Sequence, residues 1–383
     1  MLANVKMKKA MKSTVFRCLT GLNRLIPKDD SRILLYSGNL GIRHNLKPVL
    51  EALIQGGYDK KYRIFCGVED RRYFGTEPQV RYVTKLGAIR AFLRSGHVFY
   101  SAGQIPIKPS KDQMVIHMNH GTSDLKTMGK LSNIDNGDEF FFTYMLVPSE
   151  LYVPIAAREY DCPEANIRVC GEPMTDDLFR PSEPYDLGDF DKVILWMPTF
   201  RQSSYLNYSD SSAELLPMFP PDTYEELNDT LKTLNYKLIV KLHTAQDTAS
   251  LQKTSFSNLE ILTNDAFNAR GYEIYKLMPQ TDLLLGDYSS ASLQYLLLDK
   301  PVFFVVPDME EYKKKRGFCF AEPERYMPGP LIRTRGELYD ALARLKRGED
   351  PYVQDRLRVK NAIFRYQDGN NTQRVLELSG LKP

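Results

Sequence analysis

The stretch DLLLGDYSSASLQYLLLDKPVFFVVPD, residues 282–308, decides the reading of the fold. An apolar run from Leu283 to Leu285 ends on Gly286 and Asp287, and Tyr288 turns the chain. Ser289, Ser290 and Ser292 then open an amphipathic helical pattern, and a second apolar run follows Pro301. Strand, turn, helix and strand is the repeating unit of a parallel sheet, whose neighbouring strands need a long crossover between them. Working outward, the same rhythm appears in KVILWMPTF (192–200), YKLIVKLH (236–243) and LEILT (259–263). An earlier series runs through RILLY (32–36), YRIFC (62–66), HVFYS (97–101), MVIHM (114–118) and FFFTYMLVPS (140–149). Alternating strands and helices place the chain in the α/β class, with parallel sheets covered by helices.

At 383 residues the chain is longer than one core usually grows, so two domains are expected. Hydrophobic residues at 43% and charged residues at 26% are ordinary globular values and exclude a disordered or fibrous chain. Between the two strand series lies a stretch rich in Pro, Gly and Asp, and residues 173–191 read as the linker. That division gives an N-terminal domain at 31–172 and a C-terminal domain at 192–366, with terminal helices over 336–366. Residues 367–383 read as a last helix or a frayed tail. No repeat at a fixed period and no low-complexity tract is present.

Residues 1–30 form a separate segment. Lys6, Lys8, Lys9, Lys12, Arg17, Arg24 and Lys28 occur there without an acidic residue before Asp29, while Met11, Val15, Leu19, Leu22 and Ile26 recur at helical spacing. This is a basic amphipathic helix. It fits an anionic membrane surface, and it fits equally a helix packed on the body with a solvated basic face. The net charge of +3 points to no nucleic-acid partner, since that needs several phosphate contacts from one basic face. Cys18, Cys66, Cys162, Cys170 and Cys319 are an odd set without a C-x-x-C pair, as expected of reduced thiols in a cytoplasmic protein. No apolar run approaches the roughly 20 residues that span a bilayer, and no secretory signal is evident.

Ligands of open parallel sheets bind beyond the carboxyl ends of the strands, so the residues after each apolar run are the ones to inspect. After MVIHM come His120, Gly121 and Thr122; a loop histidine there suits proton transfer near neutral pH, or simply hydrogen-bonds to a turn. Thr199 and Arg201 close the strand of WMPTFR, where Arg201 offers a fork of donors to a phosphate or forms a surface ion pair. Lys241 and His243 alternate onto one face of a strand end and suit one anion. Asp287, Ser289 and Ser290 sit where a strand meets a helix start, a place that binds phosphate and that serine also caps. There is no P-loop, no G-x-G-x-x-G and no H-E-x-x-H. The acidic pair Asp189 and Asp191 reads as a solvated turn, so no metal site is expected.

Taken in order, HGTSDLKTMG (120–129), PSELY (148–152) with VCGEP (169–173), MPTFR (197–201), KLH (241–243), GDYSS (286–290) and DKPVFFVVPDMEEYKKKRGFCF (299–320) resemble the CDP-glycerol glycerophosphotransferase family, the TagB/TagF type of teichoic-acid enzyme. The resemblance runs from about Leu34 to Phe320. It implies a GT-B-like fold of two Rossmann-type domains facing a central cleft. It also implies transfer of glycerol phosphate from CDP-glycerol to an acceptor hydroxyl with release of CMP, and no cofactor beyond the substrates. Carried over by position, His120 looks like the general base, with Gly121 and Thr122 completing its motif. Arg201, His243, Ser289 and Ser290 look like the donor-phosphate grip, with His243 also a catalytic candidate. Asp287, Glu311 and Arg316 match further motif positions, and Thr199 and Lys241 flank them.

The length resembles that of primase-type members, which act on a membrane-borne saccharide lipid, so the resemblance implies a peripheral enzyme at the cytoplasmic membrane face. Ser123 and Asp124 depart from the family's usual proline after the HGT motif and bear on the acceptor side. A CDP-ribitol or other polyol-phosphate transferase, a nucleotide-sugar glycosyltransferase and a non-catalytic relative are the competing readings. Oligomeric state is not legible in the sequence.

Overall fold

The early apolar runs assemble into one sheet and the later runs into another. The computed structural model describes residues 2–38, 41–101, 103–132, 139–199, 202–203, 208–209, 215–243 and 256–383. In the first sheet β1 (Asp29–Tyr36), β2 (Arg63–Gly67), β3 (Val80–Val83), β4 (Ser95–Tyr100), β5 (Met114–His117), β6 (Tyr144–Val147) and β7 (Ile167–Val169) lie in the order 3-2-1-4-5-6-7. Every pairing in it is parallel. The chain then forms β8 (Lys192–Trp196), and β9 (Gln202–Ser203) pairs antiparallel with β10 (Tyr208–Ser209). With β11 (Tyr236–Lys241), β12 (Leu259–Leu262), β13 (Leu283–Gly286), β14 (Val302–Val305) and β15 (Leu331–Ile332), the second sheet runs 12-11-8-13-14-15, again all parallel. Both orders reverse direction once, between β1 and β4 and between β8 and β13. That is the Rossmann pattern, and it marks the carboxyl ends of those strands as ligand sites.

Burial explains why these strands were readable. Each residue of β13 and β14 is buried, because helices cover both faces of a parallel sheet and leave no polar alternation. Strands β3, β7 and β15 were not foreseen: β3 is a half-exposed edge and the other two are three and two residues long. Leu46, Val49, Leu50 and Leu53 of the helix Leu46–Gln55 pack on one face of the first sheet beside Ile33, Leu35 and Ile116. Ala88, Ala91 and Phe92 of the helix Lys85–Phe92 cover the other face with Leu34 and Val98. In the second sheet Trp196 is 1% exposed and meets Phe219 edge-on, inside a cluster that takes in Leu238, Leu283 and Leu285.

The chain divides into two units that are not contiguous in sequence. One holds Met1–Thr122, Gly137–Asp176 and Asp368–Pro383; the other holds Ser123–Asn136 and Asp177–Gln367. Three differences from the expected boundaries follow. Of the two readings of residues 367–383 the structure has the helix, Asn371–Ser379, but Val375, Leu376 and Leu381 place it in the core of the first unit. Both carboxylate oxygens of Asp176 accept backbone N–H groups, of Asn371 (2.9 Å) and Thr372 (2.8 Å), at the start of the helix Asn371–Ser379. The stretch read as the linker, 173–191, contains the boundary between the units at Asp176/Asp177, but it begins in structure: Pro173–Phe179 is a 3-10 helix with Met174, Thr175, Asp176 and Leu178 buried, and residues 180–191 then run without helix or strand and mostly exposed. Tyr185 then ties to the second unit, its N–H donating to Gln280 and its hydroxyl accepting from the Glu273 N–H. Asp191 is not merely solvated, because it accepts from Asn235 Nδ2 (2.9 Å) and pairs with Lys346. Third, Ser123–Asn136 leaves the first unit and pairs within the second, as described below.

The N-terminal helix spans Leu2–Leu25. Phe16 and Leu19 pack against the first unit's core, whereas Val15, Leu22 and Leu25 stand exposed. Asn23 is fully buried and donates to Lys108 O (3.0 Å) and Gln113 Oε1 (3.1 Å), which fixes the docking of this end. Lys28 does not belong to an exposed basic face: its ammonium donates to the carbonyls of Asn23, Ile26 and Leu93, and burial lowers its pKa. Among the described residues no helix is long and apolar enough to cross a membrane.

Candidate functional site

Strand β5 ends at His117 and delivers Asn119, His120, Gly121 and Thr122 beyond the carboxyl edge of the first sheet. His117 is buried among Tyr100, Phe140, Phe142 and Tyr160, and burial pushes its pKa down to about 4, so it is neutral at physiological pH. Its Nδ1 accepts from the Asn119 N–H (3.1 Å). Asn119 has a left-handed backbone, φ 53°, a conformation that asparagine tolerates and that swings the next residue outward. His120 is consequently exposed while its support is not. Asn119 Oδ1 lies 2.8 Å from both the backbone N and the Nδ1 of His120, and Asn119 Nδ2 donates to the Tyr160 hydroxyl at 2.6 Å.

The rest of the loop is held from three directions. Asn45 Nδ2 donates to Met118 O (3.0 Å) and Asn119 O (3.1 Å), and Asn45 Oδ1 accepts from Met174 N (3.0 Å). Ser101 Oγ donates to Asn119 O at 2.7 Å. The N–H and hydroxyl of Thr122 donate to Glu172 Oε1, a carboxylate that is 2% exposed. Gly121 has φ 153° and is buried. Asn45, Asn119, Ser101 and Glu172 were not singled out from the sequence, and neither was His44, whose ring lies 6.1 Å from that of His120. The signal for His44 was present: SGNLGIRHN follows β1 at the point where strand order reverses, the same kind of strand end that drew attention elsewhere. Next to it, Arg43, Lys47, Tyr73, Phe74, Glu77 and Tyr82 line a cavity of about 380 Å³.

In the second unit the carboxyl ends of β8 and β13 bring Thr199 and Asp287 together. Thr199 donates to Asp287 through its N–H (2.8 Å) and its hydroxyl (2.6 Å), and the Ser289 N–H donates to Asp287 Oδ1 (3.2 Å). Asp287 is 1% exposed, so its carboxylate holds two loops in place. Ser292 is also interior, its hydroxyl accepting the Asp287 N–H at 2.9 Å. Ser289 occupies the cap of the short helix Ser290–Gln294 without a side-chain capping bond, and both Ser289 and Ser290 are half-exposed. Of the three serines, Ser292 serves the backbone, the Ser289 hydroxyl lies 3.3 Å from that of Ser292, and Ser290 is half-exposed.

The remaining candidates are less concentrated. Lys241 lies over the Phe267 ring at 5.4 Å and donates to Leu242 O, while His243 follows the end of β11 and is exposed. The alternation that was to aim both at one anion is therefore spent, for Lys241, on an aromatic face. Glu311 pairs with Lys315 at 2.9 Å on the helix Met309–Lys315, and Arg316 closes that helix. Residues after the HGT motif pair with this region: Thr127 Oγ1 donates to Arg316 O (2.9 Å), Thr127 N to Gly317 O (3.1 Å) and Cys319 N to Leu125 O (2.8 Å). Ser123 and Asp124, which depart from the family pattern, are thus buried in the second unit. Arg201 lies outside the described residues. Among the described residues no group of three or more His, Cys, Asp and Glu is placed to hold a metal ion.

Comparison with known proteins adds four observations. The profile of the family described as CDP-Glycerol:Poly(glycerophosphate) glycerophosphotransferase matches residues 19–378. The chain is 25% identical over 392 residues to the teichoic acid ribitol-phosphate polymerase TarK of Staphylococcus aureus, covering 96% of this chain and 72% of that protein. It is 28% identical over 240 residues to the teichoic acid glycerol-phosphate primase of Bacillus subtilis, covering 61% of this chain and 56% of the primase. A structure of the wall teichoic acid polymerase TagF, from a variant soaked with CDPG, superposes with a TM-score of 0.74 at 18% identity over 98% of this chain and 96% of that one. That likeness establishes the GT-B-like α/β fold.

Proposed function

The chain belongs to the CDP-glycerol:poly(glycerophosphate) glycerophosphotransferase family, and from that premise we propose that it transfers glycerol phosphate from CDP-glycerol to a hydroxyl of a lipid-linked saccharide, in the priming step of a teichoic-acid or capsule-type polymer. The observation that carries this reading is the exposed imidazole of His120 on an otherwise buried and fully tied loop. The acceptor hydroxyl gives its proton to His120, and its oxygen attacks the phosphorus bonded to glycerol. The phosphoanhydride bond breaks and CMP leaves with the bridging oxygen. Such a reaction needs positioning and neutralisation of developing charge. Ser289, Ser290 and His243 are the donors this reading assigns in the second unit, with Arg201 joined to them from its motif alone. No further cofactor enters the scheme. Arg43 and Lys47 beside three aromatic rings suit a phosphorylated sugar on the acceptor side.

The similarity to TarK across 96% of this chain favours a second reading, with CDP-ribitol as donor. The two are separated by measuring CMP release by the full chain from CDP-glycerol and from CDP-ribitol, each with and without a lipid-linked aminosugar disaccharide. Acceptor-dependent CMP from CDP-glycerol alone supports the first reading, and from CDP-ribitol alone the second. No CMP from either donor overturns both. The exposed Val15, Leu22 and Leu25 on a basic helix support a peripheral position on an anionic, cytoplasmic membrane face. Removing residues 1–26 is expected to abolish co-sedimentation with anionic vesicles; unchanged co-sedimentation refutes that placement.

A further inference from the structure

We propose that Asn119 is a positioning residue that sets the tautomer of His120, so that Nε2 is the nitrogen that accepts the proton. The inference rests on reading His120 as the base. An asparagine side chain ends in one acceptor and one donor, and hydrogen-bond partners decide which is which. At one end of Asn119 lies the backbone N–H of His120, 2.8 Å away, which is a donor under all conditions. That end is therefore the oxygen. The other end is the amide nitrogen, and it donates to the Tyr160 hydroxyl at 2.6 Å. His120 Nδ1 also lies 2.8 Å from the oxygen, so Nδ1 must carry the hydrogen. A neutral imidazole has one N–H, which leaves the lone pair on Nε2, the ring nitrogen on the far side from Asn119.

The amide cannot turn over without breaking this arrangement. Asn119 is 4% exposed, its N–H is held by His117 Nδ1, and its carbonyl accepts from Ser101 and Asn45. The titratable groups around the pair are His44, 6.1 Å from the His120 ring, His117 and Tyr160 on Asn119, and Glu172 on Thr122. Because Asn119 is neutral, it orients the imidazole without strongly favouring the imidazolium, which a base working near neutral pH requires.

Two measurements test the assignment. In the full chain labelled with ¹⁵N-histidine, long-range ¹H–¹⁵N spectra at alkaline pH are expected to show His120 protonated at Nδ1; protonation at Nε2 overturns the proposal without any variant being needed. Asn119→Asp keeps the acceptor but adds a charge, so the acidic limb of kcat/KM against pH should move upward by about one unit or more, with activity recovered at higher pH. Asn119→Ala should lower kcat roughly 10- to 100-fold with KM for the donor unchanged. An unshifted limb in Asn119→Asp, in an enzyme that still requires His120, overturns the positioning role. Full turnover by His120→Ala instead removes the base reading, while the tautomer spectrum still decides the claim about Asn119.

Discussion

Replacing Asp287 with asparagine is the sharpest test of how the second unit is built. The carboxylate accepts two donors from Thr199, at 2.8 and 2.6 Å, and one from Ser289 at 3.2 Å, and it is 1% exposed. Asparagine can keep one oxygen toward the Thr199 hydroxyl and the Ser289 N–H. Its amide nitrogen then faces the Thr199 N–H, donor against donor. The loss is one charge-assisted bond, worth about 1.5–3 kcal/mol, plus a buried N–H without an acceptor at about 1–3 kcal/mol, or about 2.5–6 kcal/mol together. For a unit of this size that corresponds to a fall in Tm of roughly 10 °C. Thermal unfolding of the full chain followed by circular dichroism measures it, and isothermal titration with CDP-glycerol measures donor affinity in parallel. Ser290→Ala serves as the contrast, with unchanged Tm and weaker donor binding expected. An Asp287→Asn protein with the parent's Tm but no donor affinity would refute the reasoning, because the carboxylate would then be facing the ligand.

Three other substitutions or conditions probe the first unit. Arg43→Ala is expected to raise KM for the acceptor about tenfold, the cost of one phosphate contact of about 1.4 kcal/mol, with donor affinity unaltered in the same titration; an unchanged acceptor KM removes the cavity from the acceptor path. A chain ended at Gln367 should lose the first unit's cooperative unfolding transition, since Val375, Leu376 and Leu381 leave the core and Asp176 loses both N–H partners. Stability should fall as pH drops from 6.5 toward 4, because His117 is held neutral in the folded chain, where burial lowers its pKa to about 4, but takes a proton near 6.5 when unfolded. Stability is unaffected above 6.5, and the loss reaches roughly 3 kcal/mol once the pH has fallen below 4; denaturant unfolding at several pH values checks it, and His117→Gln should flatten that part of the profile.

What the sequence made visible, and what it hid, follows from where each signal is stored. Runs such as RILLY and DLLLGD announce buried strands because a parallel sheet covered on both faces demands uninterrupted apolar side chains, and that demand is local. His120, Ser289 and Ser290 draw attention as candidates for a related reason: they stand just after such runs, at the carboxyl ends of strands. The unit boundaries were not legible. Ser123–Asn136 and Asp368–Pro383 each pack in the unit opposite to the one their neighbours in sequence suggest, and what fixes them is a set of contacts with residues far along the chain. Thr127 finds its acceptor on Arg316, 189 residues away, and Asp176 finds Thr372, 196 residues away.

The buried polar residues of the two sites carry the same lesson into function. Asn45, Asn119, Glu172 and Asp287 are each under 6% exposed; Asn45, Glu172 and Asp287 bond to backbone from another loop, and Asn119 holds the N–H of His120 beside it. Such a residue has no periodicity and no fixed spacing from its partner, so only the folded chain identifies it. Yet an unpaired buried polar group costs about 1–3 kcal/mol, which means each of these contacts is held firmly once formed. Two outward-facing groups, the imidazole of His120 on one unit and Ser290 on the other, stand on loops tied down by interior asparagines and carboxylates. Substituting those interior groups is accordingly expected to disturb catalysis through geometry, whereas on the proposed reading substituting His120 is expected to remove the proton acceptor itself.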